Sequence, residues 1–316
     1  MGKLACVFPG QGSQSAGMGK DLFENYSEAK ELFAKIDEIA GRSLSELCFN
    51  GPEEELKRTV NTQPTILAVS MVTWRCYEKQ GGPKPTYAAG HSLGEFSALF
   101  AAGAFDLTSA VKLVDKRSQL MEACPKGAMS AVIGVPAEKL EEITREVTAA
   151  STEGHVVIVA NFNTKEQLVI SGNPEAVTEA GAQAKAAGGK VIPLPVGGAF
   201  HSPLMKEAAD EFAALLKNIE VSESDFPVIQ NYDAKPGTKG VELRRKLGLQ
   251  MPSSVRWCET IEFMLADGVD TFVEIGPGKA LAGMVKKIDR SAKTFNIYDA
   301  QTLQETLTAL KQTASV

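Results

Sequence analysis

A serine held between two glycines, Gly90-His91-Ser92-Leu93-Gly94 in the stretch AAGHSLGEFSALF, is the first arrangement in this chain that could do chemistry. A hydroxyl attacks an acyl carbon only when it is lifted clear of its neighbours and given a base. G-x-S-x-G meets the first need: on a sharp strand-to-helix turn, larger residues beside the serine would clash. The helix that follows points its N-terminal N–H groups at the site and favours developing negative charge. The plainer alternative is that Ser92 only caps that helix.

Three histidines are available as the base. His91 adjoins the serine, and adjacent side chains on a sharp turn point apart. His155, in STEGHVV, reads as a surface turn before a strand. His201, in GGAFHSPLM, precedes Ser202 and Pro203, which read as the N-cap and first residue of a helix. The positive end of that helix disfavours an imidazolium and leaves a neutral ring suited to general-base work. Gly197 and Gly198 let the backbone bend just upstream. The alternative is a packed linker histidine. Asp106 and Asp115 lie too early in the chain to orient His201, so a backbone or amide carbonyl is expected in place of a triad acid.

The loop FPGQGSQSAGMG opens like a dinucleotide motif, but Ser15 stands where the third glycine belongs, so nucleotide binding is not expected. Such a loop can instead present the backbone N–H of Gln11 as half of an oxyanion hole, with the N–H of Leu93 as the other half. Arg117 sits at the edge of a helical apolar stripe that includes Ala110, Val114 and Met121. It either snorkels past the core or aims its guanidinium into a pocket to grip a carboxylate. A buried cation left unpaired costs roughly 3–5 kcal/mol, so an acyl group without a carboxylate would be disfavoured on the order of a hundredfold.

The elements that must position these groups follow from periodicity. LACVF (4–8) reads as a buried strand, followed by one long amphipathic helix carrying Leu22, Phe23, Tyr26, Phe33 and Ile36. PTILAVSMVTWRCY (64–77) is apolar nearly all round, a buried helix. TYAAG is a strand, and 106–123 is a helix. After Pro125 the order becomes strand, helix, two strands, helix, strand, the ferredoxin-like signature, over 126–198. A helix (203–217), a strand in FPVIQN, a helix near 255–266 and a strand TFVEIG then resume the earlier pattern. The expected fold is therefore α/β: a parallel-sheet large domain (1–125 and 199–316) with an inserted ferredoxin-like subdomain (126–198). The segment KPGTKGVELRRKLG gives no site.

The 316 residues can bury a sizeable core, and 44% hydrophobic with 23% charged residues is ordinary for a globular protein. A net charge of −6 argues against nucleic acid. The five cysteines are scattered without a CxxC pair, so neither disulfides nor a zinc site is expected, which suits a reducing cytoplasm. No apolar stretch could cross a bilayer as a helix.

Together FPGQGSQ, QPTILAVS, GHSLGE, Arg117, VANFNTKEQLVISG, GAFHSPLM and EIGPGKAL resemble the malonyl-CoA:acyl carrier protein transacylases of bacterial fatty acid and polyketide synthesis, in order and spacing and over nearly the whole chain. The resemblance implies an α/β-hydrolase-like core with a ferredoxin-like subdomain. It implies that Ser92 is acylated, His201 is the base, Gln11 and Leu93 form the oxyanion hole, and Arg117 binds the malonyl carboxylate. Gln250 matches the position whose backbone carbonyl accepts from the histidine. Phe200 resembles malonyl rather than methylmalonyl selectors, and Met121 joins Arg117, Phe200 and Gln250 as an expected substrate-binding residue. The chain departs from the family at QMPSSVRW, where Ser254 replaces the usual proline before the valine and Pro252 lies two residues earlier.

The implied reaction is ping-pong transfer of malonyl from malonyl-CoA, through a malonyl-serine, to the phosphopantetheine thiol of acyl carrier protein. No metal or cofactor of the enzyme's own is expected. Carrier protein is acidic and so is this chain, so docking needs a local basic patch, for which Lys190, Lys286 and Lys287 are candidates. A solvated face is the alternative reading of those lysines. A monomer is expected. Rival readings are a serine thioesterase acting on acyl-CoA, a trans-acting polyketide acyltransferase, and a non-catalytic carrier-protein scaffold.

Overall fold

The strand LACVF is apolar without alternation because both of its faces are covered. In the computed structural model, which describes residues 2–314, it forms β1 (Lys3–Phe8). Leu4, Cys6 and Phe8 point into one hydrophobic cluster, and Ala5 and Val7 into another on the opposite side. β2 (Tyr87–Gly90) runs parallel on one flank of β1. The remaining strands are β3 (Ala128–Ile133), β4 (Val157–Phe162), β5 (Gln167–Gly172), β6 (Lys190–Pro193), β7 (Val228–Ile229), β8 (Pro236–Gly237), β9 (Val269–Ile275) and β10 (Lys293–Ile297).

Six strands make one sheet in the order β10-β9-β1-β2-β7-β8. All its pairings are parallel except β7 with β8. Four make a second, antiparallel sheet in the order β4-β5-β3-β6. The helices Ala137–Ala150 and Pro174–Ala186 cover one face of the small sheet, sharing a core with Val132, Leu140, Ile143, Ile170 and Val177. From the other face, Met129, Ala131 and Val169 join the core of the large sheet. The chain enters and leaves this unit side by side: Lys126 bridges Gly198, and Gly127 N–H donates to the Gly197 carbonyl at 3.1 Å. A second tie joins β4 to the segment after Gln250, with Val255 N–H on the Ala160 carbonyl (2.8 Å) and Phe162 N–H on the Val255 carbonyl (2.9 Å).

The helix Thr59–Lys79 is buried on all sides over most of its length, which explains why its sequence shows no polar face. It packs against Leu107–Glu122, whose N-cap Asp106 accepts from Ser109 N–H at 2.6 Å.

Several expectations are corrected. The single helix after β1 is two, Lys20–Asn25 and Ser27–Ala40, broken at Tyr26, whose extended backbone (φ −126°, ψ 128°) interrupts the ladder. The helix expected from 203 begins as a 3-10 turn, Pro203–Met205, and becomes α only at Lys206–Leu216. Only Val228–Ile229 of FPVIQN pairs as a strand. The stretch KPGTKGVELRRKLG contains β8 and the start of the helix Gly240–Gln250, which delivers Gln250 at its end. β10 and the closing helix Ala300–Ala314 went unforeseen. The extreme ends of the expected large domain, residues 1 and 315–316, lie outside the described residues.

At the centre of the large sheet, three backbones meet where only glycine fits. A Cβ on Gly94 would strike the Phe8 carbonyl, and one on Gly90 would strike the Gly94 carbonyl. Gly94→Ala is expected to lower stability by about 1–3 kcal/mol through this overlap. An unchanged chemical-denaturation midpoint would contradict that contact.

Candidate active site

Ser92 ends the turn between β2 and the helix Gly94–Ala101 in a left-handed conformation, φ 51°. Non-glycine residues reach that region only when their surroundings hold them there. Asn231, just past β7, clamps the turn at both ends. Its Oδ1 accepts from Ser92 N–H (2.7 Å) and its Nδ2 donates to the Gly90 carbonyl (2.7 Å).

Ser92 Oγ lies 2.7 Å from His201 Nε2. The tautomer follows from the other ring nitrogen. Nδ1 faces two carbonyls, Gln250 O (3.2 Å) and Ser253 O (3.1 Å), so it carries the proton, and the Nε2 lone pair faces the serine hydroxyl. Burial, and after it the Arg117 charge, together lower the His201 pKa to about 3. His201 is itself left-handed, φ 59°, directly before Ser202, whose side chain accepts from Leu204 N–H at the head of the 3-10 turn. No carboxylate touches the ring; two backbone carbonyls do the orienting. Ser254, the departure from the family pattern, donates its Oγ to the Val159 carbonyl of β4 at 2.7 Å, which holds this segment against the small sheet.

Arg117 is 1% exposed and has no carboxylate partner among the described residues. Its guanidinium donates to Gln63 Oε1 (2.6 Å), Ser92 Oγ (3.1 Å) and Gln250 Oε1 (3.0 Å), and lies 5.4 Å from the Phe96 ring centre. Burial lowers its pKa to about 10, opposed by the nearby Glu95 charge, so it stays cationic at neutral pH.

These groups open onto a cleft of about 250 Å³ between the two sheets. Gln11, Leu93, Arg117, Met121, Phe200 and His201 all line it. The amide N–H groups of Gln11 and Leu93 have no hydrogen-bond partner among the described residues, as an oxyanion hole requires. Met121 Sδ accepts from Gln63 Nε2 at 3.2 Å, so one glutamine touches both Met121 and Arg117. Gln250 is buried beneath the cleft and does not line it.

His91 turns to Asn163, with Nε2 2.8 Å from Oδ1, and packs on the Trp257 ring. His155 lies far along the chain fold, beside Glu153 and Glu175. The lysines separate. Lys287 donates to Gln167, a cleft-lining residue, at 3.3 Å. Lys286 donates to the Arg290 carbonyl at 3.3 Å. Lys190 sits at the start of β6, whereas the cleft is lined by Leu194 and Val196 just past its end.

Sequence reasoning missed Gln63, Glu95 and Asn231. Gln63 stands one residue before Pro64 in a helix that looked merely apolar, and its signal was a polar side chain on an otherwise buried surface. Glu95 closes GHSLGE and is wholly buried, where a helical glutamate is normally exposed. Nothing local marks Asn231; it reaches the site only through the sheet.

A serine paired with a neutral histidine, two free amides and a buried guanidinium are the kinds of group an acyl transfer uses, here gathered in an α/β fold. The model of the acyl transferase domain matches residues 5–307, and the chain belongs to that family. It is 45% identical over 316 residues to the malonyl CoA-acyl carrier protein transacylase of Bacillus subtilis (strain 168), covering 99% of this chain and 98% of the relative. Among solved structures it resembles the malonyl-transacylase in complex with a type II PKS acyl-carrier protein (TM-score 0.93, 40% identity, 97% of this chain and 99% of that one). It also resembles an acyl carrier protein S-malonyltransferase from Vibrio cholerae (TM-score 0.92, 42% identity, 96% and 99% covered).

The lowered His201 pKa sets a direction for the pH dependence. If the neutral ring serves as the base, depression from 6.5 to about 3 moves the loss of activity to more acidic pH. Linkage has the matching sign: the unfolded chain takes up this proton near 6.5, so the ring favours unfolding as pH falls through that window. Single-turnover acylation of the free enzyme is expected to stay level between about pH 8 and 5. An acid limb centred at about 6.5, the ordinary histidine value, would contradict the buried neutral ring.

Proposed function

We propose that this protein is a malonyl-CoA:acyl carrier protein transacylase that works through a malonyl-Ser92 intermediate and supplies malonyl units to fatty acid synthesis. The observation that carries the mechanism is the position of Ser92 Oγ, 2.7 Å from a neutral imidazole and 3.1 Å from a buried guanidinium. In the first half-reaction His201 Nε2 takes the hydroxyl proton as Oγ bonds to the thioester carbon. The resulting oxyanion is held by the N–H groups of Gln11 and Leu93. The C–S bond then breaks, and the CoA sulfur leaves with the proton from His201. The carrier-protein phosphopantetheine thiol reverses these steps: it gives His201 a proton, attacks the ester carbon and releases Ser92.

The malonyl carboxylate supplies the anionic partner that Arg117 lacks, between Gln63 and Gln250. Met121 and Phe200 shape the acyl end of the cleft. The chain itself supplies every group these steps use. On this reading the large unit (1–125 and 199–316) is α/β-hydrolase-like and 126–198 is a ferredoxin-like subdomain. The strand order β4-β5-β3-β6 and the paired entry and exit at Lys126 and Gly198 support that division. Docking of an acidic carrier protein falls first to Lys287, whose Nζ meets the cleft-lining Gln167, with Lys286 and Lys190 as further candidates. A monomeric, cytoplasmic enzyme fits this role. The solved complex with a type II PKS carrier protein favours a second reading, in which the acceptor belongs to a polyketide synthase.

Intact-mass measurement after incubation with malonyl-CoA is expected to show malonyl on the protein, lost on Ser92→Ala and transferred when holo carrier protein is added. Release of free malonate in place of malonyl carrier protein would favour a thioesterase. Arg117→Ala is expected to reduce malonyl transfer roughly a hundredfold and acetyl transfer much less. Equal losses would count against the carboxylate grip. Phe200→Ser is expected to relax rejection of methylmalonyl-CoA, read as the ratio of kcat/KM values; an unchanged ratio would remove Phe200 from selection.

A further inference from the structure

Arg117 and Ser92 share a buried partner, Gln250, and Gln250 has a partner of its own that the reaction does not use. Glu95 is wholly buried one residue beyond Gly94 and faces only donors. Gln230 Nε2 donates to its Oε1 (3.1 Å); Asn231 N–H (2.8 Å) and Gln250 Nε2 (3.0 Å) donate to its Oε2. Burial raises the pKa of this carboxyl above the ordinary range, opposed by the N–H groups of Asn231, Gln250 and Gln230 and by the Arg117 charge. Every group hydrogen-bonded to its oxygens is a donor, so in this arrangement it acts as an acceptor.

The consequence lies in which way the Gln250 amide points. An amide has one accepting end and one donating end. Glu95 Oε2 and the Ser92 carbonyl (3.0 Å) both demand the NH2 end, which turns Oε1 toward Arg117 at 3.0 Å. Reversed, the amide would set its NH2 against the guanidinium, donor against donor, and push the cation out of line. We infer that Glu95 is a positioning residue for acyl-group selection: its carboxylate fixes the direction of the Gln250 amide, and that amide holds Arg117 where it meets the substrate carboxylate. Through Asn231 N–H the same carboxylate supports the residue that clamps the Ser92 turn, so nucleophile and cation are registered to one point.

This inference rests on the transacylase reading, and the test separates the two. Wild type, Glu95→Gln, Glu95→Ala and Arg117→Ala are compared for single-turnover acylation by malonyl-CoA and acetyl-CoA. The readout is the ratio of the two kcat/KM values, which does not depend on the fraction of correctly folded enzyme. Glu95→Gln offers one acceptor oxygen where two receive N–H groups, so the malonyl-to-acetyl ratio is expected to fall roughly tenfold, toward that of Arg117→Ala. Glu95→Ala, which removes every acceptor, is expected to fall at least as far; if it does not fold, Glu95→Gln decides. A ratio unchanged in Glu95→Gln, with both rates lost in proportion, would make Glu95 a structural residue only and overturn the inference. A raised ratio would also overturn it, because it would mean that Glu95 acts by repelling the substrate carboxylate. Failure of the wild type to take up malonyl at all would instead overturn the transacylase reading.

Discussion

A guanidinium buried without a carboxylate is the constraint on which this site is built. Removing a cation from water is costly, and a direct ion pair would repay the cost but leave nothing for a substrate. Here the charge is held by neutral acceptors: two glutamine carbonyls and the serine hydroxyl. Its nearest negative charge, Glu95, is one amide away. The cation is therefore held by dipoles and not by an ion pair among the described residues, which on the proposed reading leaves it free to meet a carboxylate-bearing acyl chain.

The same cation shapes the base. It lies beside the serine that faces His201 Nε2, and its field adds to burial in keeping the imidazole neutral. A triad acid would oppose this by stabilising the imidazolium. The structure uses the Gln250 and Ser253 carbonyls instead, which fix the tautomer without adding charge. Dipoles suffice where a carboxylate would have competed with the substrate for the guanidinium.

The meeting of Ser92, His201 and Arg117 in one cleft was legible in the sequence because strong local rules mark these residues. Glycines must flank a serine on a sharp turn, and Ser-Pro announces the helix start after His201. The two-sheet organisation was legible because strand and helix periods alternate cleanly there. What escaped was set by long-range geometry. Tyr26 breaks a helix whose apolar spacing continues across it, so periodicity alone could not find the break. The helix Gly240–Gln250 has a weakly apolar sequence and is fixed by packing, so no element was assigned to the segment that carries Gln250. Asn231 and Gln63 act across 139 and 54 residues of chain, and no spacing rule spans such distances.

The bridge between β4 and Val255 has a mechanical meaning. One wall of the cleft is the small sheet, and that sheet is laced to the backbone whose Ser253 carbonyl steadies the imidazole. Just past the end of β4, Asn163 reaches over to His91, the neighbour of Ser92. Displacing the small sheet would therefore pull both on the segment that orients the His201 ring and on the turn that carries Ser92.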